Sequence, residues 1–249
     1  MTDEATARKP SHESTSSGPA TRYRAKIDAV SPPARRMSFE REHEECFLGV
    51  SLENSNFVRP KLRAILEWIA RRFPRCTVLI GDSIHRITLE TTRDMGAAEA
   101  RAEALRLGRA FLLEEEEVFK EFQDNTTFSF VTCGEIQAGP AYPAYFERLQ
   151  RLFRDDPAFR ASVERFGKSY HNKHSQDLTP EDRDYRIHRS SQYFLEEFAI
   201  FSCLRDRGLG VMVYPGSFST LAEIAAGDFP AAPAALRDLV VVSLHMRGR

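Results

Sequence analysis

The stretch CFLGVSLENSNF, residues 46–57, decides how the rest of the chain is read. Its first five residues are apolar or glycine and suit a buried strand, which ends in Gly49-Val50-Ser51. An acid, two asparagines and a phenylalanine follow at once. A serine in that place is either a nucleophile presented at a strand end or an ordinary strand-to-helix connector. Gly49 permits close backbone approach, and N–H groups exposed past the strand are suited to stabilising an oxyanion. The hydrolase elbow Gly-x-Ser-x-Gly is not met, because position 53 is Glu. On this segment alone both readings stay open.

Outward from it, strands and helices alternate. Residues 59–73 place Leu62, Ile65, Leu66, Ile69 and Phe73 on one helical face, with Pro60 suited to the first turn. A second strand is expected at 76–82, a long Ala- and Glu-rich helix at 97–122 and a third strand at 126–133. Two helices fill about 141–172, and a third covers 181–206, closed by Gly208. Strands at 209–215 and 238–244 flank the short helix FSTLAEIAA. Helices between continuous apolar strands predict an α/β fold, a Rossmann-like parallel sheet covered on both faces. In such sheets the ligand crevice lies beyond the carboxyl ends of the strands. Ser51, Asp82, the segment after Cys133 and Tyr214 all fall there.

The chain has 249 residues and a formal net charge of −1, enough for one large domain and too balanced for a globally basic protein. The four cysteines are widely spaced without a Cys-x-x-Cys pair, so buried reduced thiols and a cytoplasmic location are expected. No apolar run is long enough to span a bilayer and no secretory signal is present, so no membrane partner is expected. Residues 1–36, rich in Ser, Thr, Pro and Ala, read as a disordered tail ahead of a single catalytic domain at 37–249.

Two further segments carry chemistry. In SSQYFLEEFAIF, 190–201, Tyr193 and Glu197 are four apart and share a helical face. Glu197 sits among Phe194, Leu195, Phe198, Ala199 and Ile200, where a carboxylate needs a partner. A phenol and a carboxylate aimed at one place suit an ammonium group; a solvated helix face is the ordinary alternative. In VMVYPG, Tyr214 ends a strand, where its hydroxyl is placed to relay protons.

Together these pieces resemble the cyclodipeptide synthase family. Gly49-Val50-Ser51 with Asn54 and Phe57 is similar to the family's serine motif. Tyr193-Phe194-Leu195-Glu196-Glu197 resembles its Tyr/Glu signature, and Tyr214-Pro215 its third tyrosine. IGDSIHRITLE, 80–90, resembles the segment after the family's second strand. The likeness runs over about 46–244. Three departures are visible: Glu45 and Ala199 stand where the family usually has His and Pro, and Asn54 with Pro215 mixes features of two subfamilies.

The resemblance implies a catalytic domain similar to the core of class I tyrosyl- and tryptophanyl-tRNA synthetases. It implies two aminoacyl-tRNAs as substrates, a 2,5-diketopiperazine product, no metal and no other cofactor, and we expect a monomer. Ser51 would accept the first aminoacyl group, Tyr193 and Glu197 would hold its α-ammonium, and Tyr214 would assist proton movement. An RNA partner needs local positive charge, for which Arg101, Arg106 and Arg109 are the candidates. The first helix adds Arg59, Lys61, Arg63, Arg71 and Arg72.

The family includes a branch that uses arginine. Glu53, Asp82, Glu135 and Glu196 around the crevice would suit a cationic substrate side chain, with Glu135 as a substrate-binding candidate. The other reading is that these acids cap helices or face solvent, leaving an apolar pocket of residues such as Phe47 and Ile200. His171 and His174, three apart, lack an evident third metal ligand. The order Ser51, Asp206, His245 would suit an α/β serine hydrolase. A non-catalytic binding module on the same core is the remaining alternative.

Overall fold

The computed structural model describes residues 22–174, 179–216 and 219–248. Within them the sheet has six strands: β1 (Tyr23–Ser31), β2 (Glu45–Val50), β3 (Arg75–Ile80), β4 (Thr127–Thr132), β5 (Val211–Pro215) and β6 (Val240–Gly248). Their order across the sheet is β1-β6-β5-β2-β3-β4. Strands β2 to β6 run parallel to their neighbours among themselves. From central β2 the chain steps outward through β3 and β4, then returns to the other flank of β2 for β5 and β6. That reversal makes the β2/β5 boundary the topological switch point, the place where open α/β sheets bind ligands.

Neighbouring strand residues face opposite layers because side chains alternate across a sheet. Leu48, Val78, Val213 and Val242 share one core with α2 (Arg59–Ala70) and the end of α4 (Ala97–Lys120). Phe47, Leu79, Met212 and Val241 share the other with α6 (Tyr142–Asp155), α7 (Pro157–His174), α8 (Pro180–Asp206) and α9 (Ser219–Ala226). Burial on both faces explains why β2 and β3 read as near-continuous apolar runs. The four cysteines are all buried and unpaired.

Two elements depart from the sequence reading. Residues 23–31, expected within a disordered tail, form strand β1, which pairs antiparallel with β6 and makes the sheet mixed rather than wholly parallel. Tyr23, Ala25 and Ile27 alternate with Arg24, Lys26 and Asp28, a half-buried edge pattern diluted by the polar composition upstream. Residues 1–21 lie outside the described residues. A helix, α3 (Asp82–Arg93), follows β3 directly, in a stretch to which the sequence reading assigned no helix. Gly108 lets α4 cross close to its start, since a Cβ there would lie 2.7 Å from the Asp82 Cβ. The short helices α1 (Phe39–Glu42), α5 (Cys133–Gln137) and α10 (Ala234–Arg237) complete the connections.

Candidate active site

Ser51 is the first residue past β2, and Tyr214 is the fourth of β5, so the switch point brings them together. The Ser51 and Tyr214 hydroxyls are 3.0 Å apart. Asn54 Nδ2 donates to the same Tyr214 oxygen at 3.3 Å. Asn56 orders this loop: its backbone N–H donates to Asn54 Oδ1 at 2.9 Å, and its side chain donates to the Pro215 carbonyl at 3.1 Å. Gly49 lies beneath this pair, and a Cβ there would meet the Tyr214 ring at 3.7 Å, an ordinary van der Waals contact, so crowding alone does not require the glycine. Phe57 closes the loop with its ring centroid 5.9 Å from that of Tyr214.

A cavity of about 650 Å³ opens here, walled by Ser51, Asn54, Tyr193, Glu197 and Tyr214 among others. Tyr193 and Glu197 reach it from the same face of α8, as their four-residue spacing predicts. Burial pushes the Glu197 carboxyl up to about 8. Its Oε2 is buried without a hydrogen-bond partner among the described residues. A buried polar atom left without a partner is costly, so the position suits a ligand group that hydrogen-bonds to the carboxyl. Burial also raises the Tyr193 phenol well above its usual range, reinforced by Glu197 and Tyr214, while a hydrogen bond with Ser51 opposes the shift. Tyr214 is pushed to about 12, again chiefly by burial. Both phenols therefore stay protonated near neutral pH, able to donate.

The other acids expected to shape the crevice are already engaged. Glu196 is buried and accepts from Arg86 at 2.6 Å, Gln137 at 2.9 Å and Gln192 at 3.2 Å. Asp82 accepts backbone N–H groups of Ser83 and Gly134, at 2.6 and 3.0 Å. Glu135 does not line this cavity: it forms the reciprocal cap of α5 with Thr132, its carboxylate taking the Thr132 N–H at 2.7 Å. Glu53 lies on the cavity wall in a left-handed backbone conformation (φ 56°), bound by Arg93 at 2.6 Å and His85 at 3.0 Å. Against the cost of burial, those two partners hold its carboxyl below the usual range.

Phe47 and Ile200 are fully buried core residues and do not line the cavity. Phe47 packs its ring against Phe201 at 5.5 Å. The apolar wall comes instead from Val163, Phe166, Phe194, Phe198 and Leu221. The sequence reading also missed His85 and Arg93, which arrive on the unexpected α3. Gly81 before an acid at the first helical position was the available signal; the β-branched Thr88, Thr91 and Thr92 obscured it.

The hydrolase alternative finds no triad. Asp206 bonds Tyr145 at 2.6 Å, and His245 bonds Arg247 at 3.2 Å, while Ser51 pairs with Tyr214. The side chains of His171 and His174 lie outside the described residues. On α4, Arg106 is tied to Glu103 at 2.7 Å, whereas Arg101 and Arg109 are exposed with no carboxylate partner among the described residues. Most of the positive charge on α2 and just past its end is neutralised, Arg59, Arg63, Arg71 and Arg72 each pairing with a glutamate. Among the described residues no helix is long and apolar enough to cross a membrane.

Comparison with known proteins accords with this geometry. Three solved structures share the fold. One is a cyclodipeptide synthase from Fluoribacter dumoffii, at TM-score 0.76 and 19% identity, covering 90% of this chain and 99% of that one. The second, from Mycobacterium tuberculosis, is described as demonstrating that cyclodipeptide synthetases are related to type I tRNA synthetases (TM-score 0.62, 19% identity, 84% and 87% covered). The third is a cyclodipeptide synthase from Candidatus Glomeribacter gigasporarum bound to Phe-tRNAPhe (TM-score 0.60, 14% identity, 81% and 86% covered). The fold is thus the Rossmann-like α/β class related to those synthetases. The cyclodipeptide synthase family model matches residues 26–203, and the chain belongs to that family. No curated relative matches it.

Proposed function

We propose that this enzyme joins the aminoacyl groups of two aminoacyl-tRNAs into a 2,5-diketopiperazine through covalent intermediates on Ser51. The observation that carries the reading is one cavity holding a serine hydroxyl, two protonated phenols and the unpartnered Glu197 carboxyl. The activated ester arrives ready-made, so the protein need only supply an acceptor, orientation and charge placement.

In the first step Ser51 Oγ attacks the ester carbonyl of the first aminoacyl-tRNA. The Ser51–O bond forms, the bond to the ribose oxygen breaks, and the serine proton passes through the Tyr214 hydroxyl to that leaving oxygen. The α-ammonium of the bound residue fills the place beside Glu197 Oε2 and Tyr193. A carboxyl near 8 is close to the ordinary pKa of an α-amine, about 7.7–8.0, so a proton exchanges between them at little cost. The freed amine attacks the second aminoacyl-tRNA, giving a dipeptidyl-Ser51 ester and a second free tRNA. The new terminal amine then attacks the Ser51 ester carbonyl, closing the ring and returning the proton to Ser51 Oγ.

Arg101, Arg106 and Arg109 contact tRNA phosphates in this reading, and the acyl chemistry requires neither a metal nor another cofactor. One chain holds every named group, consistent with a functional monomer acting in the cytoplasm. The apolar wall favours an apolar or aromatic substrate side chain. An arginine product has less support, because Arg93 already occupies Glu53 and Glu196 is held by Arg86. The test is incubation with bulk charged tRNA, followed by mass analysis of the Ser51 peptide and of small-molecule products. An aminoacyl adduct on Ser51 with a cyclic dipeptide supports the reading; synthesis without any adduct overturns the covalent route.

A further inference from the structure

A second cavity, of about 460 Å³, lies at the opposite end of the sheet from Ser51. Three parts of the chain wall it: Tyr145 and Arg148 on α6, Arg205 and Asp206 in the last turn of α8, and Asp238 between α10 and β6. Gly208 turns the chain from α8 toward β5 in a left-handed conformation (φ 96°), which side-chain-bearing residues rarely adopt. Val211 and Val240, the first residues of β5 and β6, stand side by side just beyond. This cavity therefore opens at the amino ends of the strands, whereas Ser51 and Tyr214 stand toward the carboxyl ends.

Two arginines and two aspartates line one space, yet among the described residues neither arginine forms an ion pair with either aspartate. Elsewhere on the surface arginines take a carboxylate neighbour, as Arg165 does with Glu223 and Arg186 with Asp94. Arg148 directs one nitrogen to the Ala231 and Ala232 carbonyls, at 3.0 and 3.2 Å. The Arg205 side chain forms no hydrogen bond with any described residue, and its Nε is buried. Nor is it needed to cap α8, because the Gly208 and Leu209 N–H groups donate to the Arg205 and Leu204 carbonyls, at 2.9 and 3.2 Å. Asp206 accepts from the Tyr145 hydroxyl at 2.6 Å. Burial and Asp206 push that phenol up to about 12, so it remains a donor at neutral pH. The Asp238 carboxylate has no donor among the described residues.

We propose that this cavity is a second ligand site, for a small zwitterion bearing both an ammonium and a carboxylate, the chemistry shared by a free amino acid and a linear dipeptide. Arg205 and Arg148 hold the carboxylate, and Asp238 with Asp206 holds the ammonium. A guanidinium and a carboxylate that share a wall without meeting leave both charges to a molecule that carries the two complements. A simple anion would also face the two aspartates, and a simple cation the two arginines, so like charge disfavours each. The volume falls in the range that small-molecule sites occupy. Ser51, Tyr193, Glu197 and Tyr214 take no part, so the site goes beyond the synthase chemistry and does not rest on it.

The test is calorimetric titration of the full chain with each standard free amino acid and with the linear dipeptides glycyl-glycine and leucyl-leucine. At least one should bind with a Kd of about 1 mM or tighter. Its amide, which lacks the carboxylate, and its N-acetyl form, which lacks the ammonium, should each bind roughly tenfold more weakly or worse. Arg205→Gln and Asp238→Asn should each cause a loss of the same size, while Glu197→Gln, in the other cavity, leaves binding unchanged. Asp238 is exposed, so Asp238→Asn keeps the test decisive if Arg205→Gln fails to fold. Binding of amino acids alone or of dipeptides alone supports the site and fixes the ligand within the class. A wild-type protein that binds none of them overturns it, as does binding that Asp238→Asn leaves intact. Equal binding of the amide or the N-acetyl form overturns the zwitterion. Binding abolished by Glu197→Gln alone would place the ligand in the active-site cavity and overturn the second site.

Discussion

Asn56 donates its side-chain amide to the Pro215 carbonyl at 3.1 Å, tying the loop after β2 to the end of β5. Its backbone N–H meanwhile fixes Asn54 Oδ1, which turns the Asn54 amide nitrogen toward Tyr214. The surroundings of Ser51 are therefore shaped by a residue whose own hydrogen bonds go to Asn54 and to the Pro215 carbonyl. Asn56→Ala should cost about 1 kcal/mol of stability, the usual worth of one hydrogen bond, and lower kcat by roughly tenfold. Urea unfolding and steady-state turnover check both numbers. Unchanged kcat in a destabilised variant would make Asn56 a stabilising tie only.

Ser51→Ala removes one oxygen at a cavity wall and disturbs little packing. The variant should melt within about 0.5 kcal/mol of wild type, as changes away from packed cores do, and produce no cyclic dipeptide. Thermal unfolding and product mass spectrometry make the comparison. Full synthesis by the alanine variant would end the role of Ser51 as acyl acceptor.

Glu197 gives a pH signature. Its carboxyl titrates near 8 in the folded chain and near 4.5 when exposed. Between those values the folded state binds the extra proton, so stability falls as pH rises, by up to about 1.4 kcal/mol per unit. Below the window both states are protonated, and above it both are ionised, so the contribution is flat. Glu197→Gln should remove this slope, making the variant relatively more stable at pH 8 than at pH 5. Its turnover should drop more than tenfold, because the amide cannot accept the ammonium proton. Identical pH slopes in denaturant titrations of the two proteins would show that Glu197 does not titrate there.

Arg101 and Arg109 differ from Arg106 in having no glutamate to hold them among the described residues. The double change Arg101→Ala and Arg109→Ala should raise KM for charged tRNA and reduce the salt slope by about 2, leaving kcat near its wild-type value. Arg106→Ala alone should do less, since Glu103 already claims it. Equal effects of all three would mean that RNA displaces the Arg106–Glu103 pair.

What could be read in advance followed burial. β2, β3 and β5 are covered on both faces, so their apolar runs could be recognised without knowing their neighbours. The shared face of Tyr193 and Glu197 was legible because helical spacing alone sets it. β1 escaped because only its inner face is buried, and its alternating pattern lies beside a polar, proline-bearing stretch. Phe47, Ile200 and Glu135 were misplaced for a different reason. Sequence places a residue near a strand end or on a helix, but not which way its side chain turns, and Phe47 and Ile200 turn into the core. Glu135 turns back onto its own helix. The engagement of Glu53 by Arg93 and His85 was equally hidden, since it depends on how α3 leaves β3.

The pairing of Tyr23 with Gly248 also bears on how the protein is made. A ribosome releases β1 long before β6 exists, so the first strand must wait, unpaired, through the synthesis of more than two hundred residues. Arg24, Lys26 and Asp28 keep the waiting strand from sticking to other nascent chains, as charged gatekeepers do. Polypeptides stalled before residue 240 should therefore leave β1 open to protease on the ribosome, and those carrying a C-terminal extension long enough to bring β6 out of the exit tunnel should protect it.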